Sequence, residues 1–107
     1  MNENSDFFAR STTVVRHSNR FQRNIMNMVS GLRGYLLTGE NYFIQAYDSA
    51  AIENQNILKE ISAFIPENTT QKQAFREIVQ LNDQWVEEFA QPLIDAKKRI
   101  GDSDTSE

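Results

Sequence analysis

Residues 32–40 read LRGYLLTGE. The stretch begins with apolar residues at helical spacing and reaches a glycine at position 39. Glycine adopts positive φ without steric cost and is favoured just after the last residue of a helix. The stretch therefore predicts that one helix ends at Thr38 and that a short turn leads directly into the next. Short connections place sequential helices antiparallel, so we expect an all-α, antiparallel up-down helical bundle.

The residues before this turn repeat an apolar side chain every seven positions. The repeat consists of Phe7, Val14, Phe21, Met28 and Tyr35. A flanking apolar stripe widens the buried face, which is typical of a bundle rather than a two-stranded coiled coil. The pattern predicts a first helix over residues 6–38. Two glycines inside it, Gly31 and Gly34, each lower helix propensity by about 1 kcal/mol, and we expect them to permit close approach of another backbone.

Two further helices are predicted, over residues 41–65 and 70–100. The second has Asn41 as its expected N-cap, and it ends at Pro66 because proline disfavours helical ψ in the preceding residue. For the third, Thr70 with Gln73 fits a capping box, and Asn68 with Gln71 is the competing register. The apolar positions of the third helix are Phe75, Val79, Asn82, Val86, Phe89, Leu93, Ala96 and Ile100.

The end of the third helix carries two backbone signals. Pro92 removes the hydrogen bond to the Glu88 carbonyl, which predicts a kink there. Gly101 is expected as the first residue after the helix. The predicted domain therefore spans residues 1–101, and residues 102–107 form a disordered tail.

Charge and composition exclude several classes of protein. The net charge of −4 argues against a nucleic-acid partner. Cysteine is absent, and the apolar runs are too short to span a membrane. Five arginines and no acid lie between Arg10 and Arg33, whereas acids outnumber bases ten to three between Glu40 and Asp95. A solvated basic face explains this asymmetry, and the alternative is lateral association of a basic first helix with acidic later helices.

No residue pattern indicates catalysis, a cofactor or a metal ion. The only histidine, His17, lacks co-ligands. The candidate ligand-binding residues are polar or aromatic side chains within or beside the apolar positions, or at the first turn. They are Arg33, Tyr35, Tyr47, Asn54, Asn82 and Trp85. Each has a structural alternative: register control for the asparagines, packing for the aromatic rings, and fastening of the turn for Arg33.

Residues 32–40, together with YFIQAY at 42–47, the loop from Pro66 to Gln73 and the PLI run at 92–94, resemble the third class of CHASE extracytoplasmic sensor domains. The resemblance implies a non-enzymatic periplasmic or extracellular domain of a membrane-bound bacterial signal-transduction protein, with a sensor histidine kinase as the expected output. Flanking segments absent from this chain would then enter the membrane. The resemblance also implies a fourth helix, which we expect to be missing here or supplied by a partner.

We therefore expect a homodimer that relays a stimulus, which a small-molecule ligand could supply, through helix rearrangement. Two alternatives remain open. One is the ligand-binding domain of a chemoreceptor, and the other is a structural dimerisation spacer.

Overall fold

The computed structural model describes the backbone of residues 2–105 and the side chains of residues 12–101. Four α-helices follow one another: α1 (Asn2–Thr38), α2 (Asn41–Phe64), α3 (Thr70–Gln84) and α4 (Gln91–Thr105), with a π-helical turn at Trp85–Ala90 between the last two. No strand occurs in residues 2–105. Because no loop separates α3, the π turn and α4, they form the third rod of a helical bundle that measures 71 × 23 × 14 Å. The predicted all-α bundle is confirmed.

α1 and α2 form a tightly packed antiparallel hairpin. Gly39 has a φ of 74° and closes the turn, and its backbone N–H donates to the Tyr35 carbonyl at 2.7 Å. A Cβ atom on Gly31 would lie 2.8 Å from the Phe43 carbonyl oxygen, and one on Gly34 would lie 2.4 Å from the Phe43 ring. Gly31 therefore permits the close backbone approach that the sequence predicts, whereas Gly34 makes room for the Phe43 ring.

Two polar side-chain pairs join the two helices along the hairpin. Arg20 donates to the Glu53 carboxylate at 2.6 Å, and His17 bonds to the Glu60 carboxylate. These pairs agree with the predicted association of a basic first helix with an acidic later one. Each exposed pair contributes less than about 1 kcal/mol, so the charges help to set the register while burial of apolar area supplies most of the stability.

The core includes Met28 and Tyr35 from the predicted seven-residue repeat. The other buried members of this cluster from α1 and α2 are Leu32, Ile44, Tyr47 and Ala50. The third rod adds Ala90 and Ile94, neither of which belongs to the predicted set. Phe89 and Ile100, which do belong to it, are 51% and 57% exposed.

The π turn explains this change of face. The Gln91 N–H donates to the Val86 carbonyl, five residues back instead of four. One extra residue in a turn moves every later residue around the helix axis, so Ala90 and Ile94 occupy the places that a regular helix would give to Phe89 and Leu93. Pro92 cannot donate to Glu88 and its ring crowds that carbonyl. The irregularity predicted before Pro92 thus takes the form of a π turn.

Several predicted helix ends differ from the structure. α1 begins at Asn2 instead of residue 6, and α2 ends at Phe64, one residue before the predicted end. Glu40, not Asn41, is the N-cap of α2, because the Thr38 hydroxyl already accepts from the Glu40 N–H and the turn needs no further side chain. Thr69 caps α3 by accepting from the Lys72 N–H at 3.1 Å, so both predicted capping registers are wrong.

The chain end also departs from prediction. α4 continues through Gly101 to Thr105, so Gly101 lies inside the helix and residues 102–105 are helical instead of disordered. The rest of the predicted tail lies outside the described residues. Among the helices that the structure describes, none combines the length and apolar character needed to cross a membrane.

Candidate functional site

Three of the predicted polar or aromatic site residues are buried in the bundle. Tyr47 is 2% exposed, Asn54 1% and Asn82 9%. Asn54 Nδ2 donates to the Phe21 carbonyl at 3.4 Å and approaches Met28 Sδ at 3.9 Å. Among the described residues, Tyr47 Oη, Asn54 Oδ1 and Asn82 Oδ1 have no hydrogen-bond partner. A buried polar atom without a partner costs about 1–3 kcal/mol. These three atoms therefore lower the stability of the observed packing.

Trp85 connects two of these residues. Its ring centroid lies 6.4 Å from that of Tyr47, and it lines a groove between α1 and α3 together with Asn82, Phe21 and Ile25. This groove has a volume of about 270 Å³. The structure thus brings Tyr47, Asn82 and Trp85 together around the facing surfaces of the hairpin and the third rod. Burial raises the pKa of the Tyr47 hydroxyl, and the charge of Asp48 adds to that rise.

The other two predicted site residues lie elsewhere. Tyr35 is a core residue, 5% exposed, near the hairpin turn. Arg33 is exposed and forms no ion pair or hydrogen bond with residues 12–101. No contact by which Arg33 would fasten the turn is present among residues 12–101, where Gly39 and Thr38 already satisfy the turn.

Lys72 is a buried charged residue that the sequence patterns did not indicate. It is 6% exposed, and its Nζ donates to the Ser62 carbonyl at 2.9 Å and to the Ser62 hydroxyl at 2.8 Å. Nζ also lies 3.4 Å from the Glu67 carboxylate. Lys72 therefore satisfies the C-terminal end of α2 and fastens the loop between α2 and α3. A lysine in the first turn of a helix is disfavoured by the dipole, and that anomaly is the sequence signal that could have identified it.

A second group that the sequence patterns missed lies on the outer face of the hairpin. Asn24 is 8% exposed, and its Nδ2 has no acceptor within the part of the chain whose side chains are described. It lines a groove of about 340 Å³ between α1 and α2, on which Asn27, Ser30, Ser49 and Glu53 also border. The i, i+3, i+6 spacing of Asn24, Asn27 and Ser30 places them on one helix face.

None of these groups forms a catalytic arrangement. Residues 12–101 hold no cluster of three or more acidic, histidine or cysteine side chains that could bind a metal ion. His17, the only histidine, bonds to Glu60 and to the Thr13 carbonyl at 2.9 Å. The described side chains offer unsatisfied hydrogen-bonding groups and open grooves, which suit binding and rearrangement.

Comparison with known proteins gives one family. The family model of the CHASE3 domain matches residues 4–107. No curated protein and no solved structure matches the chain significantly.

Proposed function

Because the chain belongs to the CHASE3 domain family, we propose that it is the sensory domain of a membrane-bound bacterial sensor histidine kinase. Domains of this family are extracytoplasmic sensory modules of signal-transduction proteins. The chain is therefore a sensory domain that lies outside the cytoplasm. The kinase output, the membrane context and the signalling motion are the parts that we propose.

The proposed signalling motion is a shift between the hairpin and the third rod, and it rests on the unequal packing of the three rods. Phe43 meets Gly31 and Gly34 at distances that leave no room for a methyl group, so α1 and α2 form a rigid unit. α3 lies against this unit loosely. Its apolar residues Ile78 and Leu81 are 50% and 65% exposed, and a groove of about 420 Å³ lies among the three rods.

The unsatisfied polar atoms lie at the same loose boundary. Tyr47 Oη and Asn82 Oδ1 are buried there without partners among residues 12–101. A shift of the third rod that admits water or a new partner would relieve part of this cost. Two packings of similar free energy would result, and a stimulus that prefers one of them shifts the population.

α1 is the helix that would transmit this motion beyond the bundle. The ring of Phe64, the last residue of α2, lies 6.5 Å from the ring of His17. α1 therefore runs on past the end of α2 for the residues that precede His17. A rotation or translation of the rigid α1–α2 unit relative to the third rod would reach this extension without passing through a loop. We propose that the extension points towards the membrane.

Paired spin labels test the motion in this cysteine-free chain. We expect labels at exposed Gln22 in α1 and Gln80 in α3 to give a broad or two-peaked distance distribution in double electron–electron resonance. The control pair, Gln22 with Asn56 in α2, should give one narrow peak. Equally narrow peaks for both pairs would argue for a structural spacer. Autophosphorylation on histidine by the full-length protein tests the kinase output, and its absence would favour the chemoreceptor alternative.

We also propose a homodimer. The apolar residues beside the α1–α3 groove, Val29, Ile78 and Leu81, are between 38% and 65% exposed, and a second copy would bury them. Size-exclusion chromatography with light scattering should give twice the mass of 12.4 kDa. Leu81→Glu should shift the protein towards monomer. A strictly monomeric wild-type protein at high concentration would refute the dimer.

A further inference from the structure

We propose that the groove between α2 and α3 binds a small organic carboxylate with an apolar body, such as an aromatic acid. This groove, called the cationic groove below, has a volume of about 510 Å³, which lies within the range of ligand pockets. Its walls include Leu58, Lys59, Ser62, Lys72, Phe75 and Arg76. The inference names a ligand class for the sensory function proposed above and rests on that function only for its biological role.

The charge of the cationic groove is opposite to that of the whole chain. Three cations border it, namely Lys59, Lys72 and Arg76. Glu67 is the only acid among the described residues that line it, so the lining carries a net charge of +2. The chain as a whole carries −4. A cleft lined by charges of one sign concentrates counter-ions, and this groove therefore attracts an anion.

Lys59 and Arg76 supply donors that a ligand can reach. Lys59 is exposed on the α2 wall, and its ammonium group forms no ion pair with residues 12–101. The Arg76 side chain is 61% exposed on the α3 wall, and within residues 12–101 only its Nη2 has an acceptor, the Glu67 carboxylate at 2.6 Å. A guanidinium group has five N–H donors in a planar fork that suits a carboxylate. A ligand carboxylate between Lys59 and Arg76 would therefore contact both walls.

Lys72 contributes charge to the cationic groove and not a contact. It is 6% exposed, and its Nζ already donates to the carbonyl and the hydroxyl of Ser62. A ligand therefore leaves these hydrogen bonds in place. Solvent ions screen a buried charge less than an exposed one, so the attraction of Lys72 for an anion adds to that of the two exposed cations.

Apolar side chains form the floor of the cationic groove. Leu58 is 6% exposed, and Phe75 and Val79 are partly buried. An inorganic anion would leave this apolar area in contact with water, and a neutral apolar molecule would make no use of the cations. The combination therefore selects a ligand with a negative charge at one end and an apolar body at the other.

A ligand in this position would bias the packing of the third rod. It would join Lys59 on the rigid hairpin to Arg76 on α3, and it would bind more tightly when the two walls lie close together. Binding would then shift the population towards the packing with the closer walls. The cationic groove is thereby linked to the proposed signalling motion.

Two-dimensional ¹H–¹⁵N NMR at constant ionic strength tests the binding, with sodium benzoate as the probe. Benzyl alcohol provides the same ring without the charge, and inorganic phosphate provides a charge without the ring. Benzoate should cause saturable shifts of the backbone signals around Lys59 and Arg76, and both comparators should bind at least tenfold more weakly.

A matched pair of lysine variants locates the charge that matters. Lys59→Gln should weaken benzoate binding roughly tenfold, because it removes a charge-assisted contact. Its melting temperature should equal that of wild type, because Lys59 is exposed and has no ion pair within residues 12–101. The control Lys98→Gln removes the same charge from an exposed position on α4, outside the cationic groove, and should leave binding unchanged.

The proposal is overturned by the absence of saturable shifts with benzoate, by benzyl alcohol or phosphate binding as tightly as benzoate, or by equal weakening in the two lysine variants. With spin labels at Gln22 and Gln80, saturating benzoate should narrow the distance distribution. A broad distribution that benzoate leaves unchanged would overturn the bridging of the two walls, while the proposed motion would stand. Narrow distributions for both label pairs without benzoate would refute the motion and leave the binding result intact.

Discussion

Gly31→Ala is the sharpest test of the hairpin packing. The added Cβ atom would lie 2.8 Å from the Phe43 carbonyl oxygen and 3.2 Å from the Tyr47 nitrogen. Both neighbours are backbone atoms of α2, so the helices must separate by about 0.6 Å to restore the 3.4 Å of an ordinary contact. Overpacking of this kind costs up to about 3 kcal/mol, and the gain in helix propensity returns about 1 kcal/mol. We expect a net loss of about 2 kcal/mol.

Thermal and urea unfolding followed by circular dichroism at 222 nm measure this loss, which corresponds to roughly 10 °C in melting temperature for a domain of this size. Two other glycine variants provide the comparison. At Gly34 the added Cβ would lie 2.7 Å from Phe43 Cγ, an atom that ring rotation does not move, so Gly34→Ala should also destabilise, by about 1–3 kcal/mol. A Cβ atom added at Gly101 would meet nothing within 4 Å beyond the backbone of its own helix, so Gly101→Ala should stabilise α4 by up to about 1 kcal/mol. A Gly31→Ala protein as stable as wild type would refute the close-packed hairpin.

Three further substitutions test the contributions of individual polar side chains to stability. Tyr47→Phe removes a buried hydroxyl without a partner among the described residues and should stabilise by about 1 kcal/mol. Because burial raises the Tyr47 pKa, wild type should lose stability as pH rises above about 10 and the variant should lose less; equal alkaline profiles in chemical denaturation would contradict this. Lys72→Met should destabilise the protein by about 2 kcal/mol, because the Ser62 carbonyl and hydroxyl lose a charged donor. An unchanged urea midpoint would show that these hydrogen bonds at the end of α2 are dispensable. Arg33→Ala should change the free energy of unfolding by less than about 0.5 kcal/mol, and a larger loss would reveal a structural contact.

The fold was predictable where local and global patterns agree. The seven-residue repeat places Met28 and Tyr35 in the core, where they pack in one cluster with Ile44 and Tyr47 of the second helix. The turn at Gly39 and the end of α2 before Pro66 follow from backbone sterics at single residues. Such features depend on neighbours a few positions away in the sequence, and that is why a single sequence is enough.

The features that sequence patterns missed depend on competition between neighbours. Thr69, Thr70 and Asn68 can each cap a helix, and the choice of Thr69 depends on the loop geometry, where Asn68 has a φ of 62°. The face of α4 depends on a π turn that periodicity alone does not indicate. Of the six predicted site residues, Tyr47, Asn82 and Trp85 meet because each lies on a face directed towards another helix. Arg33 does not join them. It was predicted from the motif at residues 32–40 and not from helical periodicity, and its side chain lies on an exposed face of α1.

The π turn at Trp85–Ala90 divides the third rod into two helices, α3 and α4, whose helical registers differ by one residue. Conversion of this turn to regular α-helix would rotate α4 by about 100° relative to α3. Ala90 would leave the core and Phe89 would enter it, although no side chain at the hairpin had moved. Six residues therefore determine which side of the last helix faces the tip of the hairpin. Any partner that binds α4 would be sensitive to them.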